Sequence, residues 1–210
     1  MTNPEAILES LAQTARAGTV LAAAWHAALA VALLGLLCGW RPSMRTAGLL
    51  MTLPLASVAL TAAWQRSPFN ATLVGLAALT LAGLAFRLTS DTIGAGSTAA
   101  RLLGSSVIGL GWFYPHFMQS GPPLSYFYAA PFGVLPCPTL AVVVGLAIVA
   151  GGFGSRVWSS ALAGLALFYG LFGTHVLGVF IDTFLTMGAL LLLGLVWSRH
   201  GQPVPRAQQL

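Results

Sequence analysis

The chain has no lysine, only four acidic residues and only two cysteines in 210 residues. Each scarcity removes a class of function. Without lysine no retinal Schiff base can form, and the absence of a Walker-type phosphate loop leaves any ATP-driven role to a partner. Charged residues make up 6% of the chain, against roughly 25% in soluble domains, and the mean hydropathy is +0.86. The formal charge of +5 comes from scattered arginines; a nucleic-acid footprint would need them clustered, so no nucleic-acid partner is expected.

What is present is a series of long apolar stretches. A bilayer core of about 30 Å takes roughly 20 apolar residues as a helix, and backbone polar groups left unpaired in hydrocarbon have no partner. Seven segments qualify, at residues 18–39, 44–64, 69–86, 102–118, 138–153, 157–172 and 179–197. The fold class predicted is all-α, a polytopic transmembrane helical bundle of seven spans. It is divided into an external interfacial segment (1–17), a single transmembrane domain (18–197) and a cytoplasmic tail (198–210). Glycines at 173 and 178 place a tight turn between the last two spans.

Sidedness follows from the arginines, because loops rich in basic residues stay cytoplasmic. Arg41, Arg45, Arg87, Arg101, Arg156, Arg199 and Arg206 fall on one face of a seven-helix arrangement, and Arg16 and Arg66 on the other. The N-terminus is therefore expected outside and the C-terminus in the cytoplasm of a bacterial inner membrane, with the lipid bilayer, including anionic lipid, as partner. Glu5 and Glu9 stand where a secretory signal would be basic. The first residues instead predict an interfacial helix, with Asn3 as N-cap, Pro4 at the first helical position, and Ile7, Leu8 and Leu11 on a lipid-facing side. Gly35 and Gly39 form a G-x-x-x-G pattern that permits close packing. The Gly, Ser and Thr of residues 88–100 predict a loosely held cytoplasmic loop, whereas the external connection at 119–135 is uncharged and crowded with Pro and aromatics.

Groups able to carry chemistry are few. Cys38 and Cys137 lie at opposite faces, about a bilayer apart, too far for a disulfide, which needs Cα atoms within roughly 7 Å. Cys137 lies between Pro136 and Pro138; with Pro138 at the first helical position it becomes the helix cap. It is then either a thiol activated by the positive helix end or simply a cap at a rigid junction. His26, His116, His175 and Asp182 all fall in or near the outer half, and intramembrane ionisable groups are candidates for proton relays or solute pathways. His200 lies in the tail. No metal-ligand spacing is present; Cys137 and His116 are weak metal candidates, and no cofactor is assigned. Residues 112–132 hold eight of the 21 aromatics, an interfacial belt or a lid that stacks on a flat ligand. Ser105 and Ser106 lack a nucleophile frame or a base, so an enzyme is not expected.

Three stretches resemble a bacterial family of multi-pass membrane proteins, a domain of unknown function. Phe69-Asn70-Ala71 within residues 64–71 is similar to its aromatic, Asn and Ala start of a helix. Phe132-Gly133-Val134-Leu135-Pro136-Cys137-Pro138-Thr139 resembles a stretch ending in Pro, Cys or Asp, Pro and Thr. In residues 173–185, Asp182 stands at the family's acidic position. The resemblance implies importance for Asn70, Pro136, Cys137, Pro138, Thr139 and Asp182, without naming a reaction; His175 departs from the pattern.

These readings predict binding or translocation of a small solute or ion through an outward-opening cavity among His26, His116, Cys137, His175 and Asp182, with Asp182 and His175 as a protonatable pair. The rivals are a structural or accessory subunit with other membrane subunits as partners, and a metal- or redox-handling protein centred on Cys137.

Overall fold

The computed structural model describes residues 4–115, 117 and 123–198. These form eight α-helices with no strand among them: α1 (Pro4–Ala17), α2 (Thr19–Leu37), α3 (Met44–Trp64), α4 (Pro68–Ala85), α5 (Thr98–Trp112), α6 (Pro136–Val149), α7 (Arg156–His175) and α8 (Asp182–Ser198). Four of them, α2, α3, α4 and α7, are long and apolar enough to cross a membrane; α6 and α8 are shorter apolar helices. Each of the seven predicted segments is overlapped by one helix, α2 to α8 in order.

The boundaries that moved have local causes. α5 stops at Trp112 rather than continuing to 118, because Phe113 caps it and Pro115 follows, which holds the residue before it out of helical conformation. α6 begins at Pro136, with Leu135 as its cap. The first four N–H groups of a helix have no internal acceptor, so prolines at 136 and 138 both fit within the first turn. Cys137 is therefore inside the helix and is not its cap. α6 ends at Val149 because Gly151, Gly152, Phe153 and Gly154 all take positive φ in the turn that follows.

α6 is the axis of the bundle. It is apolar on every side and nearly all of it is buried, as expected of a helix enclosed by others, and it packs on α3, α5, α7 and α8. Its contact with α5 is made backbone to backbone. A Cβ added at Gly145 would stand 2.6 Å from the Gly104 carbonyl oxygen, and one at Gly104 2.7 Å from the Gly145 oxygen, the close approach that small residues permit in membranes. By contrast, the G-x-x-x-G of α2 is not a packing face. The ring of Trp40 covers Gly35, and Gly39 lies outside the helix with φ of 98°.

Consecutive helices from α2 onward alternate in direction, so the described arginines of the connections divide between two ends: Arg41, Arg45, Arg87, Arg101 and Arg156 at one, Arg16 and Arg66 at the other. At the arginine-rich end the 88–100 connection is stitched down, contrary to the loose loop expected. Met44 N–H donates to Asp91 O (2.8 Å), Ile93 N–H to Pro42 O (3.0 Å) and Gly96 N–H to Val149 O (2.8 Å). At the opposite end α1 folds back over the bundle. Leu8 packs against the buried cluster of Tyr114, Ala130 and Val179, and Leu11 against that of Ala15, Ala22, Val134 and Leu135, so these two side chains are half-buried in protein where lipid was expected. The proposed cap Asn3 lies outside the described residues.

Candidate functional site

Beneath α1, two groups of polar side chains hold the end of the bundle together. The first is centred on Asp182, the opening residue of α8. A carboxylate there accepts readily from free N–H groups of the first turn, yet this one points inward. It is 2% exposed, and its Oδ1 accepts a hydrogen bond of 2.7 Å from the Tyr114 hydroxyl. The Cys137 thiol of α6 lies beside the same carboxylate. Space for the second oxygen is made by α7: a Cβ at Gly173 would stand 2.7 Å from Asp182 Cγ. No cation faces Asp182 among the described residues. One helix away, Tyr169 of α7 donates to Asn70 Oδ1 of α4 at 2.9 Å and lies within electrostatic range of Cys137.

The second group immobilises the 130–135 loop, every residue of which is buried. Irregular backbone of this kind persists in an apolar setting only when its polar groups are met by protein. Thr139 Oγ1 accepts from Gly133 N–H (2.8 Å) and donates to Leu135 O (2.6 Å). Ser57 of α3 donates to Gly133 O (2.7 Å) and accepts from Trp25 Nε1 of α2 (2.9 Å). Gly133 has φ of 74° and lies against the Trp25 indole, its hypothetical Cβ only 2.6 Å from Nε1; only glycine meets both demands. The Phe-Gly-x-x-Pro-Cys-Pro-Thr stretch is thus a buried clasp linking α2, α3 and α6. Thr139→Val, similar in size, leaves the Gly133 N–H without an acceptor; we expect about 1–3 kcal/mol of lost stability, read by thermal unfolding in detergent, with Thr139→Ser close to wild type.

His26 is 3% exposed and closes the clasp laterally. Its Nδ1 lies 2.8 Å from Ala22 O and its Nε2 3.1 Å from Trp112 O, and its ring meets Trp112 and Phe132 edge to face. A neutral imidazole has one N–H and satisfies one of these carbonyls; the doubly protonated ring satisfies both.

The structure therefore brings Cys137 and Asp182 together, sets Thr139, Pro136 and Pro138 in the adjoining clasp, and joins Asn70 through Tyr169. It does not bring His175 to Asp182. His175 ends α7 in an exposed position, while the carboxylate takes its bond from Tyr114. His116 and His200 lie outside the described residues. Tyr114, Tyr169, Trp25 and Ser57 were not singled out in the sequence. For Tyr169 a signal existed, since a hydroxyl inside an apolar helix needs a partner. The aromatic stretch is divided: Tyr114 and Phe132 are buried at the site, and Phe113, Phe127 and Tyr128 remain exposed. Among the described residues no three of His, Cys, Asp and Glu converge as metal ligands, and three grooves on the helix surfaces are lined by none of Asp182, Cys137 or His26. Comparison of the chain with family models, with curated proteins and with solved structures finds no match in any of the three.

Proposed function

We propose that the chain is a non-catalytic, seven-span protein of a bacterial inner membrane that binds or translocates a small solute or ion, with the Asp182 carboxyl as its proton-binding group. In this reading the N-terminal helix lies outside and the C-terminal tail in the cytoplasm, and the arginine asymmetry between the two ends of the bundle supports that orientation. Of the shorter helices, α6 packs on the long α3 and α7, α8 packs on α7, and α5 lies against α6 and α8, which supports counting them as spans. The stretches resembling the bacterial family supply Asn70, Cys137, Thr139 and Asp182 to one end, which supports membership.

The observation that carries the functional reading is the buried Asp182 carboxylate, bonded to a phenol and beside a thiol with no cation among the described residues. Burying an ion is costly unless it is paired, and ionisable groups at membrane depth mark proton and solute pathways. Ionised, the carboxylate only accepts; protonated, it has an O–H of its own to place. Each state favours a different seating of the α7–α8 hairpin on Tyr114. Infrared difference titration of the purified protein is expected to show a protonated-carboxyl band that is absent in Asp182→Asn. Identical titration spectra for the two proteins would remove the proton-binding role.

The second reading, an accessory subunit, is favoured by α2. It is the most apolar of the long helices, yet it buries only Ala22, His26 and Leu29, leaving surface for another subunit. Size analysis in a mild detergent separates the two readings.

A further inference from the structure

The way α2 sits on the bundle is specific. Its buried residues are Ala22, His26 and Leu29, and none follows Leu29. Beyond that point the helix stands away from α3 and α6 and leaves an open groove of about 250 Å³. The lining includes Trp25, Leu29, Leu36, Trp40, Met51 and Leu146, with Phe132 closing one end and Pro42 the other. From Trp25 to Leu36 the groove follows α2 for about 16 Å at 1.5 Å per residue, comparable with the roughly 15 Å of one leaflet's hydrocarbon. A long, thin, wholly apolar channel of this shape suits a hydrocarbon tail better than a folded side-chain surface.

Its mouth is not apolar. Arg41 falls between Trp40 and Pro42, both of which line the groove. One of its guanidinium nitrogens, Nη1, closes the end of α2 by donating to Leu36 O (2.6 Å) and Trp40 O (2.9 Å); Nη2 and Nε remain free to donate outward. Arg45, exposed at the second residue of α3, donates to Leu88 O. Neither arginine has an ion-pair partner among the described residues. Two unneutralised cations above an apolar channel, flanked by a half-exposed Trp40, are complementary to an anionic headgroup with a tail.

We propose that this groove holds one acyl chain of an anionic phospholipid whose phosphate sits on Arg41, with Arg45 adding to the field. The proposal rests on the membrane reading and is independent of the role given to Asp182. The test is native mass spectrometry of delipidated protein mixed with phosphatidylglycerol or with phosphatidylcholine of the same tails. Wild type is expected to keep one phosphatidylglycerol per chain at least tenfold better than phosphatidylcholine. Arg41→Gln, an exposed change away from the core, is expected to erase that preference, and Ala32→Trp, which fills the channel, to abolish retention of both lipids. Equal retention of the two lipids by wild type would overturn the proposal, as would a lipid adduct surviving Ala32→Trp. So would a doubled chain mass with no lipid, which would assign the groove to a second copy.

Discussion

Gly173→Ala is expected to lower the stability of the detergent-solubilised protein by about 3 kcal/mol, the upper range for overpacking a tight site. The added methyl would fall on the Asp182 carboxylate, 2.7 Å from its Cγ. Neither neighbour yields cheaply. Asp182 is tied to Tyr114 at 2.7 Å, and three residues earlier on α7 the backbone passes equally close to α8, with a Cβ at Gly170 reaching 2.9 Å from Thr186 N. The α7–α8 hairpin must therefore part, and the Tyr114 bond goes with it. The diagnostic measurement is a double-mutant cycle by thermal unfolding. Asp182→Ala alone removes the acceptor of Tyr114, but in the Gly173→Ala background it also makes room for the new methyl. The double variant is expected to be more stable than the sum of the two single losses by at least about 1 kcal/mol, as for groups in contact. Additive losses would show that the methyl is accommodated elsewhere.

The second large effect is at the axis. Gly145→Val is expected to prevent recovery of folded, monodisperse protein. A Cβ there would lie 2.6 Å from Gly104 O and 2.7 Å from Ile108 N. Both are backbone atoms of α5, which no rotamer change can move. Separating α5 from α6 also withdraws Gly111, whose Cβ position lies 2.9 Å from Val142 N, so the whole contact opens. Gly109→Val on the same helix is the control: a Cβ there meets nothing within 4 Å, and the change is expected to stay within about 0.5 kcal/mol. Size-exclusion profiles of the two variants decide the matter; equal recovery would mean that the α5–α6 approach is not what holds the axis.

The parts of this molecule that the sequence exposes are those set by local rules. The 44–64 segment coincides with α3 because a serine that caps its first turn precedes it and Arg66 follows shortly after. Asp182 is conspicuous because an acid among so many apolar residues is rare. Its partner is not legible. Tyr114 lies 68 residues away in a run of aromatics that looks the same whether it faces lipid or protein, whereas His175 is near in sequence and falls on the exposed end of α7. The clasp is partly legible: Gly133, Thr139 and the two prolines form a compact motif, but Ser57 and Trp25 belong to other helices and nothing local marks them. Cys137 moves from the cap to the second residue of α6 because either proline can start a helix, and the helix begins at the earlier of the two.

The clasp and the Asp182 cluster also differ in when the growing chain can complete them. The side chains whose hydrogen bonds hold the 130–135 loop, Trp25, Ser57 and Thr139, lie on α2, α3 and α6, so the loop can be pinned once α6 has been synthesised. Asp182 is made 45 residues after Cys137 and reaches Tyr114 only when α7 has already turned back. Because chains fold from the N-terminus as they emerge, biogenesis sets the clasp first and admits the carboxylate last, into a socket whose phenol and thiol are already waiting.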